Sequence, residues 1–322
     1  MSETLLEVKG LTKHYVSKKG LWGAKKTVRA VNGIDLTLYN GEVVSIVGES
    51  GCGKSTLGRC VLRLIEPSAG SVHFEGSNIL EMDNKSLRAV KRDMQFVFQD
   101  PYASLNPRST VEDILMVPLE VHRIGDKIER RQKVQRMMDI VGLSKQHLKR
   151  YPHEFSGGQR QRIGIARALI LQPKLIIADE PVSALDVSVQ AQILNLMQDL
   201  KEEFKLTYMF ISHDLSVVRH ISDRVAVMYL GKIVEIADKN SLYSDPQHPY
   251  TKALLSSVPV PDPEAKKERI LLEGDVPSPS NPPSGCTFHT RCPFAFEACK
   301  TVEPTLKPLS DERMVACHLL HP

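Results

Sequence analysis

The sequence lacks long apolar segments and concentrated charge. None of its hydrophobic runs approaches the about 18–20 residues that a membrane-spanning helix needs. Its first ten residues, MSETLLEVKG, lack the basic end and the apolar stretch of a signal peptide. The net charge is only +4 over 322 residues, and no run of lysine and arginine is long enough for a nucleic-acid-binding arm. These absences predict a cytoplasmic chain with no membrane span and no nucleic-acid partner.

Proline and cysteine are unevenly distributed along a chain long enough for two domains. Thirteen of the 20 prolines lie from Pro246 onward, and segment 275–285 (DVPSPSNPPSG) predicts a stiff linker. Four of the six cysteines lie in the last 37 residues. We therefore predict a large α/β domain over residues 1–240 and a small irregular extension over residues 241–322.

Residues 42–56 (EVVSIVGESGCGKST) are the most informative stretch. The stretch begins with β-branched apolar residues, as a strand buried on both faces does, and continues as G-x-x-x-x-G-K-[ST]. Glycines let the backbone N–H groups curl around phosphate oxygens, a lysine reaches the β- and γ-phosphates, and a serine hydroxyl can bind Mg²⁺. The pattern predicts a nucleoside triphosphate site, with contacts from Gly48, Ser50, Gly51, Cys52, Gly53, Lys54, Ser55 and Thr56.

Two carboxylates follow the apolar strand 174–178. At the carboxyl end of a buried parallel strand, Asp179 is expected to hold Mg²⁺ and Glu180 to accept a proton from the attacking water. Two capping carboxylates in a turn are the alternative. His213, at the end of another predicted strand, is either structural or in contact with a γ-phosphate. Tyr15 either stacks on a base or only packs.

A helix begins after Ser156, at the sequence SGGQ. Ser156 predicts an N-cap, and Gly157 and Gly158 leave the start of the helix open to an anion, with Gln159 following them. A capped helix without any ligand explains the same residues. Upstream, amphipathic segments between residues 111 and 150 indicate a helical insertion.

The motifs GESGCGKST, FSGGQ, LIIADE and SALD, with Gln99 and His213, occur in an order that resembles the nucleotide-binding subunit of ABC transporters over about residues 5–240. This resemblance implies an α/β fold. Its expected parts are a P-loop NTPase (RecA-like) core, an N-terminal antiparallel β subdomain and a helical subdomain at about 103–165.

The resemblance also implies a role for each motif. Two such domains face each other head to tail, ATP closes the dimer, and hydrolysis reopens it. Since this chain has one set of motifs, it needs a partner domain. The implied roles are base stacking for Tyr15, sensing of Mg²⁺ and water for Gln99, the signature for Ser156–Gln159, the catalytic base for Glu180, the D-loop for Ser183–Asp186 and the switch for His213.

The C-terminal sequence is more specific. DPQHPYTKALLSSVP (245–259) and the cysteine pattern resemble the oligopeptide/dipeptide importer branch, in particular the second of two non-identical ATPase subunits. The implied partners are a second homologous ATPase subunit in a heterodimer, two transmembrane permeases and an extracytoplasmic solute-binding protein, at the cytoplasmic face of the inner membrane. The resemblance places channel docking on a surface that includes Tyr102, Leu105 and Asn106.

The sequence leaves alternatives to peptide import. The same branch moves nickel, glutathione, antimicrobial peptides and oligosaccharides, and other ABC ATPases act in translation or DNA maintenance. The last class usually has two ATPase domains or a long coiled-coil insertion, which this chain lacks.

The four late cysteines favour a metal over disulfides in a reducing cytoplasm. Four thiolates suit iron–sulfur or zinc equally. The resemblance implies a [4Fe-4S] cluster, and the absence of paired C-x2-C knuckles favours it over zinc. No metal at all remains an alternative. The predicted ligands are Cys286, Cys292, Cys299 and Cys317.

Overall fold

The computed structural model describes residues 3–18, 25–258, 270–310 and 312–321. The strands are β1 (Thr4–Lys18), β2 (Lys25–Tyr39), β3 (Val43–Val47), β4 (Ala69–Phe74), β5 (Ser77–Asn78), β6 (Met94–Val97), β7 (Leu175–Asp179), β8 (Thr207–Ile211), β9 (Arg224–Tyr229), β10 (Lys232–Asp238), β11 (Lys307–Ser310) and β12 (Arg313–Val315). The helices are α1 (Lys54–Val61), α2 (Asn84–Asp93), α3 (Pro101–Ser104), α4 (Val111–Val121), α5 (Lys127–Ile140), α6 (Gly157–Leu169), α7 (Val187–Phe204), α8 (Leu215–Ile221), α9 (Lys239–Ser244), α10 (Pro249–Ser256) and α11 (Glu297–Thr301).

The described residues divide into two compact units. The first unit contains Tyr39–Glu42 and Glu81–Ile211, and the second contains Thr4–Leu38, Val43–Leu80 and the described residues from Ser212 onward. The division at residue 240 into an α/β domain and a C-terminal extension remains a prediction. In packing, residues on both of its sides belong to the second unit.

The first unit combines parallel strands with helices. Its strands run in the order β8-β7-β6, and both pairings are parallel. All five residues of β7 and all five of β8 are buried, as expected for parallel strands covered on both faces. Helices α3 to α6 occupy the region predicted as a helical insertion. Reciprocal capping boxes at Thr110, Asp126 and Ser156 start α4, α5 and α6.

The second unit contains two groups of strands. One is an antiparallel sheet in the order β2-β1-β4-β5, in which Leu6 lies opposite Phe74 and Val8 opposite Val72. The other runs β11-β12-β10-β9-β3, with β3 parallel to β9 and the remaining pairs antiparallel. The predicted α/β class with an antiparallel β subdomain is therefore confirmed.

Residues beyond 240 are tied to the second unit by buried polar contacts. Strand β12 pairs with β10, so the extension adds strands to a sheet. The fully buried carboxylate of Glu235 accepts the N–H groups of Gln247 (3.0 Å) and His248 (2.9 Å). The Arg313 guanidinium donates to the carbonyl oxygens of Asp245 and Ser241. Because these groups would be unsatisfied without one another, the start of α10 has a defined position.

Among the helices that the structure describes, none is both long and apolar enough to cross a bilayer.

The buried imidazole of His248 makes the stability of the extension depend on pH. Its Nδ1 accepts the N–H of Tyr250 (3.1 Å), and burial lowers the pKa of His248 to about 3. An unfolded chain has a histidine pKa of about 6.5 and binds a proton that the folded chain does not. Lowering the pH from 7 to 5 therefore destabilises the fold, whereas raising it above 7 adds only about 0.2 kcal/mol through this group.

We expect His248→Asn, which keeps a capping acceptor but cannot titrate, to remove this dependence. Between pH 7 and pH 5 the wild-type chain should lose about 2 kcal/mol more unfolding free energy than the variant. Urea unfolding at both pH values measures the difference. Parallel losses in the two proteins would show that His248 is not the titrating group.

Candidate functional site

The phosphate loop between β3 and α1 runs too close to neighbouring backbone to carry a side chain at two of its glycines, Gly48 and Gly53. Gly48 has φ +151° and Gly53 has φ +106°. A Cβ on Gly48 would lie 2.1 Å from the carbonyl oxygen of Met228, and one on Gly53 would lie 1.9 Å from that of Ala30. Only glycine fits at either position.

Lys54 is folded back over this loop at the start of α1. Its side chain is 5% exposed, and its ammonium donates to the carbonyl oxygens of Gly48 (2.8 Å) and Glu49 (3.1 Å). Gly53 supplies no side-chain cap at the start of α1, whose first turn includes Ser55 and Thr56. The N–H groups of a first helical turn favour an anion.

Four other predicted nucleotide contacts differ in exposure. Cys52 is buried beneath the loop, and burial raises the pKa of its thiol. Its carbonyl oxygen accepts the N–H of Gly231 (2.9 Å). Ser50 and Gly51 are exposed at the tip of the loop. Tyr15 lies on β1 with an exposed ring, and the Lys13 ammonium is 5.1 Å from the ring centroid.

His213 lies in the second unit, as the phosphate loop does. The N–H of the preceding Ser212 donates to the carbonyl oxygen of Ile46 in β3 (3.2 Å), the strand that leads into the loop. Asp214 caps α8 through the N–H groups of Ser216 and Val217. His213 is thus an exposed residue fixed between a strand contact and a helix cap.

In the first unit, the structure brings Gln99 and Glu180 together. The Gln99 Nε2 donates to Glu180 Oε2 at 2.9 Å. Glu180 has φ +47°, a conformation that is uncommon for a non-glycine residue, and its N–H donates to the carbonyl oxygen of Ile211 (2.9 Å). Asp179, one residue earlier, is fully buried at the end of β7. Backbone strain at a residue aimed from a strand end is typical of functional positions.

The SGGQ segment forms a capped helix start with unusually close packing. The Ser156 hydroxyl accepts the Gln159 N–H, and Gln159 Oε1 accepts the Ser156 N–H. A Cβ on Gly158 would lie 2.4 Å from Cγ1 of Val189, and one on Gly157 would lie 3.3 Å from Cδ2 of Leu185. The glycines therefore let this segment lie against residues 185–189. Asp186, at the start of α7, is exposed.

The predicted docking residues are not all on the surface. Tyr102 is 56% exposed and its ring lies 4.6 Å from the Arg160 guanidinium, and Asn106 is also exposed. Leu105 is only 2% exposed. The prediction that Leu105 contributes to a docking surface is wrong, because its side chain belongs to the core of the first unit.

The four late cysteines are free thiols in the second unit. Burial raises the pKa of Cys286 to about 11, and the nearby thiols of Cys299, Cys317 and Cys292 act in the same direction. The Cys286 N–H donates to the carbonyl oxygen of Cys299 (2.8 Å). Within the described ranges, however, no three or more His, Cys, Asp or Glu side chains are grouped so that they could hold a metal ion.

Three residues at the phosphate loop were not predicted from the sequence. The Arg291 guanidinium donates to both carboxylate oxygens of Glu49, at 2.8 and 3.1 Å. The Glu49 N–H donates to the Tyr250 hydroxyl (2.9 Å). No local pattern could have revealed these contacts, since the partners lie 242 and 201 residues apart in sequence.

A buried strand, a glycine loop closed by Lys54, and a carboxylate after a second buried strand define a P-loop nucleoside triphosphatase. Residues 31–183 match the ABC transporter family, and residues 234–299 match the family described as oligopeptide/dipeptide transporter, C-terminal region. The oligopeptide transport ATP-binding protein AppF of Bacillus subtilis is 56% identical over 321 residues, which cover 98% of each chain. The chain therefore belongs to the ATP-binding subunits of the oligopeptide/dipeptide ABC transporter family.

Other similar proteins agree with this classification. The di/tripeptide transport ATP-binding protein DppF of Pseudomonas aeruginosa is 51% identical over 316 residues, covering 98% of each chain. Among solved structures, the dimeric ATP-binding cassette MJ0796 bound to ADP and Pi is 31% identical, with a TM-score of 0.65 over 73% of this chain and 99% of that one. The predicted ABC ATPase class is confirmed.

We expect Gly53→Ala to weaken ATP binding at least about tenfold, because its Cβ would displace the loop from the Ala30 carbonyl. Equilibrium dialysis with labelled ATP measures the affinity. Gly76→Ala is the control, since Gly76 also has positive φ but a Cβ there meets no atom within 4 Å. The control should cost about 1–2 kcal/mol of stability and leave ATP binding intact. Equal ATP affinity in Gly53→Ala and the wild type would contradict the clash.

Proposed function

We propose that this chain hydrolyses ATP to drive the import of dipeptides or oligopeptides through a membrane transporter. The observation that carries the proposal is its 56% identity, over 98% of the chain, to a protein named for oligopeptide transport. The match of residues 234–299 to an oligopeptide/dipeptide transporter region supports peptides over nickel, glutathione, antimicrobial peptides or oligosaccharides. The same match favours transport over translation or DNA maintenance.

The residue roles follow from the chemistry of the side chains. Lys54 and the N–H groups of the phosphate loop would bind the β- and γ-phosphates. The Ser55 hydroxyl, the Asp179 carboxylate and the Gln99 amide offer the hard oxygen donors that Mg²⁺ prefers, and bound Mg²⁺ would neutralise phosphate charge. Glu180 would take the proton of the attacking water, and its 2.9 Å hydrogen bond to Gln99 would orient the carboxylate. His213 would contact the γ-phosphate.

The SGGQ segment would act on the ATP of a second, homologous subunit. In this proposal two ATPase subunits form a heterodimer, and Ser156, Gly157, Gly158 and Gln159 of one face the γ-phosphate held by the other. Close packing of Gly158 on Val189 supports coupled movement of the SGGQ segment with Asp186 and its loop. ATP then stabilises the closed dimer and hydrolysis releases it.

The proposed assembly also contains two transmembrane permeases and an extracytoplasmic binding protein. The chain would bind peripherally at the cytoplasmic face of the inner membrane. Exposed Tyr102 and Asn106 would contribute to the permease contact, with the Tyr102 ring supported by Arg160. An exposed aromatic residue with a packed ring suits such a contact, because it loses little conformational freedom on binding.

We expect Glu180→Gln to abolish labelled-peptide uptake in cells that depend on this chain, while ATP binding is retained. Loss of a general base lowers turnover about 10²–10⁴-fold, and the closed dimer should accumulate. Glu202→Gln is a matched control, since Glu202 is an exposed glutamate of α7. Uptake at the wild-type rate in Glu180→Gln would exclude Glu180 as the base. If this variant loses ATPase activity but the wild-type chain supports no peptide uptake, the chain is an ATPase that drives the transport of another cargo.

We also propose that Cys286, Cys292, Cys299 and Cys317 hold a [4Fe-4S] cluster. The mutual proximity that makes the other three thiols raise the pKa of Cys286 supports this set. Zinc needs four sulfurs that converge on one ion, about 2.3 Å from each. In a cluster each thiolate binds a different iron, so the sulfurs stand further apart. Bound iron would supply the charge that deprotonates these buried thiols.

The proposed cluster predicts a coloured protein. Anaerobically purified chain should contain about four irons and absorb broadly near about 400 nm, and Cys292→Ser should lose both. Cys60→Ser is the control, because Cys60 is a buried thiol of α1 outside the set. Colourless protein with one zinc per chain would support the zinc alternative, and protein without metal would exclude both.

A further inference from the structure

Every polar group of Glu49, the residue after the first glycine of the phosphate loop, has a partner within the second unit. Its N–H donates to the Tyr250 hydroxyl, and its carboxylate accepts both arms of the Arg291 guanidinium. Its carbonyl oxygen accepts the N–H of Cys52 (3.3 Å) and the ammonium of Lys54 (3.1 Å). The conformation of the loop at this residue is therefore determined by two residues of the extension and two of the loop itself.

The Arg291 side chain is buried, and the residues around it are closely packed. Its side chain is 7% exposed, and it ends a short 3-10 turn, His289–Arg291. The turn follows Phe288, whose ring lies 5.3 Å from that of Tyr229 and 5.4 Å from that of Tyr250. The hydrogen bonds to Glu49 raise the pKa of Arg291 further above its ordinary value, so the guanidinium stays charged. A bidentate guanidinium–carboxylate pair fixes direction as well as distance.

We propose that Arg291 is a positioning residue for the ATP site: by holding Glu49, it fixes the phosphate loop and the lysine anchored to it. The inference rests on the proposed ATPase function. In the described contacts Arg291 touches neither the loop glycines nor Lys54, so it acts through Glu49. Tyr250 is the second support, since it keeps the Glu49 N–H directed toward the extension.

Glu49 alone connects Arg291 to Lys54, the proposed phosphate-binding lysine. Releasing the Glu49 carboxylate frees a residue whose carbonyl oxygen is one of two backbone acceptors for the Lys54 ammonium. A shift of that carbonyl changes where the ammonium lies. Because catalytic geometry tolerates displacements of only about 1 Å, a small rotation at Glu49 is enough to weaken phosphate binding.

A double-mutant cycle on the full chain tests this inference. The variants are Arg291→Gln, Glu49→Gln and the two combined, and the probe is labelled Mg-ATP in equilibrium dialysis. We expect each single variant to weaken ATP binding about tenfold and the double variant to be no weaker than the worse single one, because both changes break the same pair. Arg291→Lys should bind ATP more tightly than Arg291→Gln but less tightly than the wild type, since lysine keeps the charge but cannot make the bidentate contact.

Lys300→Gln is the matched control, because it breaks an exposed ion pair with Glu297 in the same segment and should leave ATP affinity unchanged. Circular dichroism records whether each variant is folded. If Arg291→Gln unfolds, then Glu49→Gln and Arg291→Lys decide the question. Wild-type affinity in the folded Arg291 variants, or additive losses in the cycle, would overturn the inference alone. A wild-type chain that fails to bind ATP would overturn the proposed function and this inference with it.

Discussion

The phosphate loop has no space for a side chain at either end of its curve. The carbonyl oxygens of Met228 in β9 and Ala30 in β2 lie within 2.1 Å of where the Cβ atoms of Gly48 and Gly53 would be. This close backbone approach is possible because β3 is buried throughout and pairs with β9 in parallel. The positions of Lys54, of Glu49 and of the start of α1 all depend on this close backbone approach.

The second constraint is backbone strain at the end of β7. Glu180 adopts a left-handed conformation, which its hydrogen bonds to Ile211 and Gln99 maintain. A residue held in this way is oriented before any substrate arrives, and it costs stability of order 1–3 kcal/mol that the buried strands around it supply. The first unit therefore orients this carboxylate through its own contacts.

Local sequence patterns were sufficient to predict those features that depend on neighbouring residues. The apolar strand before Gly48, the N-cap at Ser156 and the carboxylates after β7 could all be recognised from neighbouring residues. Contacts between distant segments could not be predicted. The Glu49–Arg291 pair, the burial of Leu105 and the pairing of β12 with β10 depend on tertiary packing, which leaves no periodic signal in either partner. The proline-rich composition predicted only a stiff linker and a small irregular extension.

The distance in sequence between Glu49 and its partners affects how the protein is made. The loop is synthesised early, whereas Tyr250 and Arg291 follow 201 and 242 residues later. At a synthesis rate of about 5–20 residues per second, the loop waits on the order of 10–50 s for its arginine. A nascent chain therefore carries a complete phosphate-binding motif well before that motif has its final support. Premature termination after the ABC core would release a chain whose glycine loop has every residue of the motif and neither of the side chains that hold Glu49.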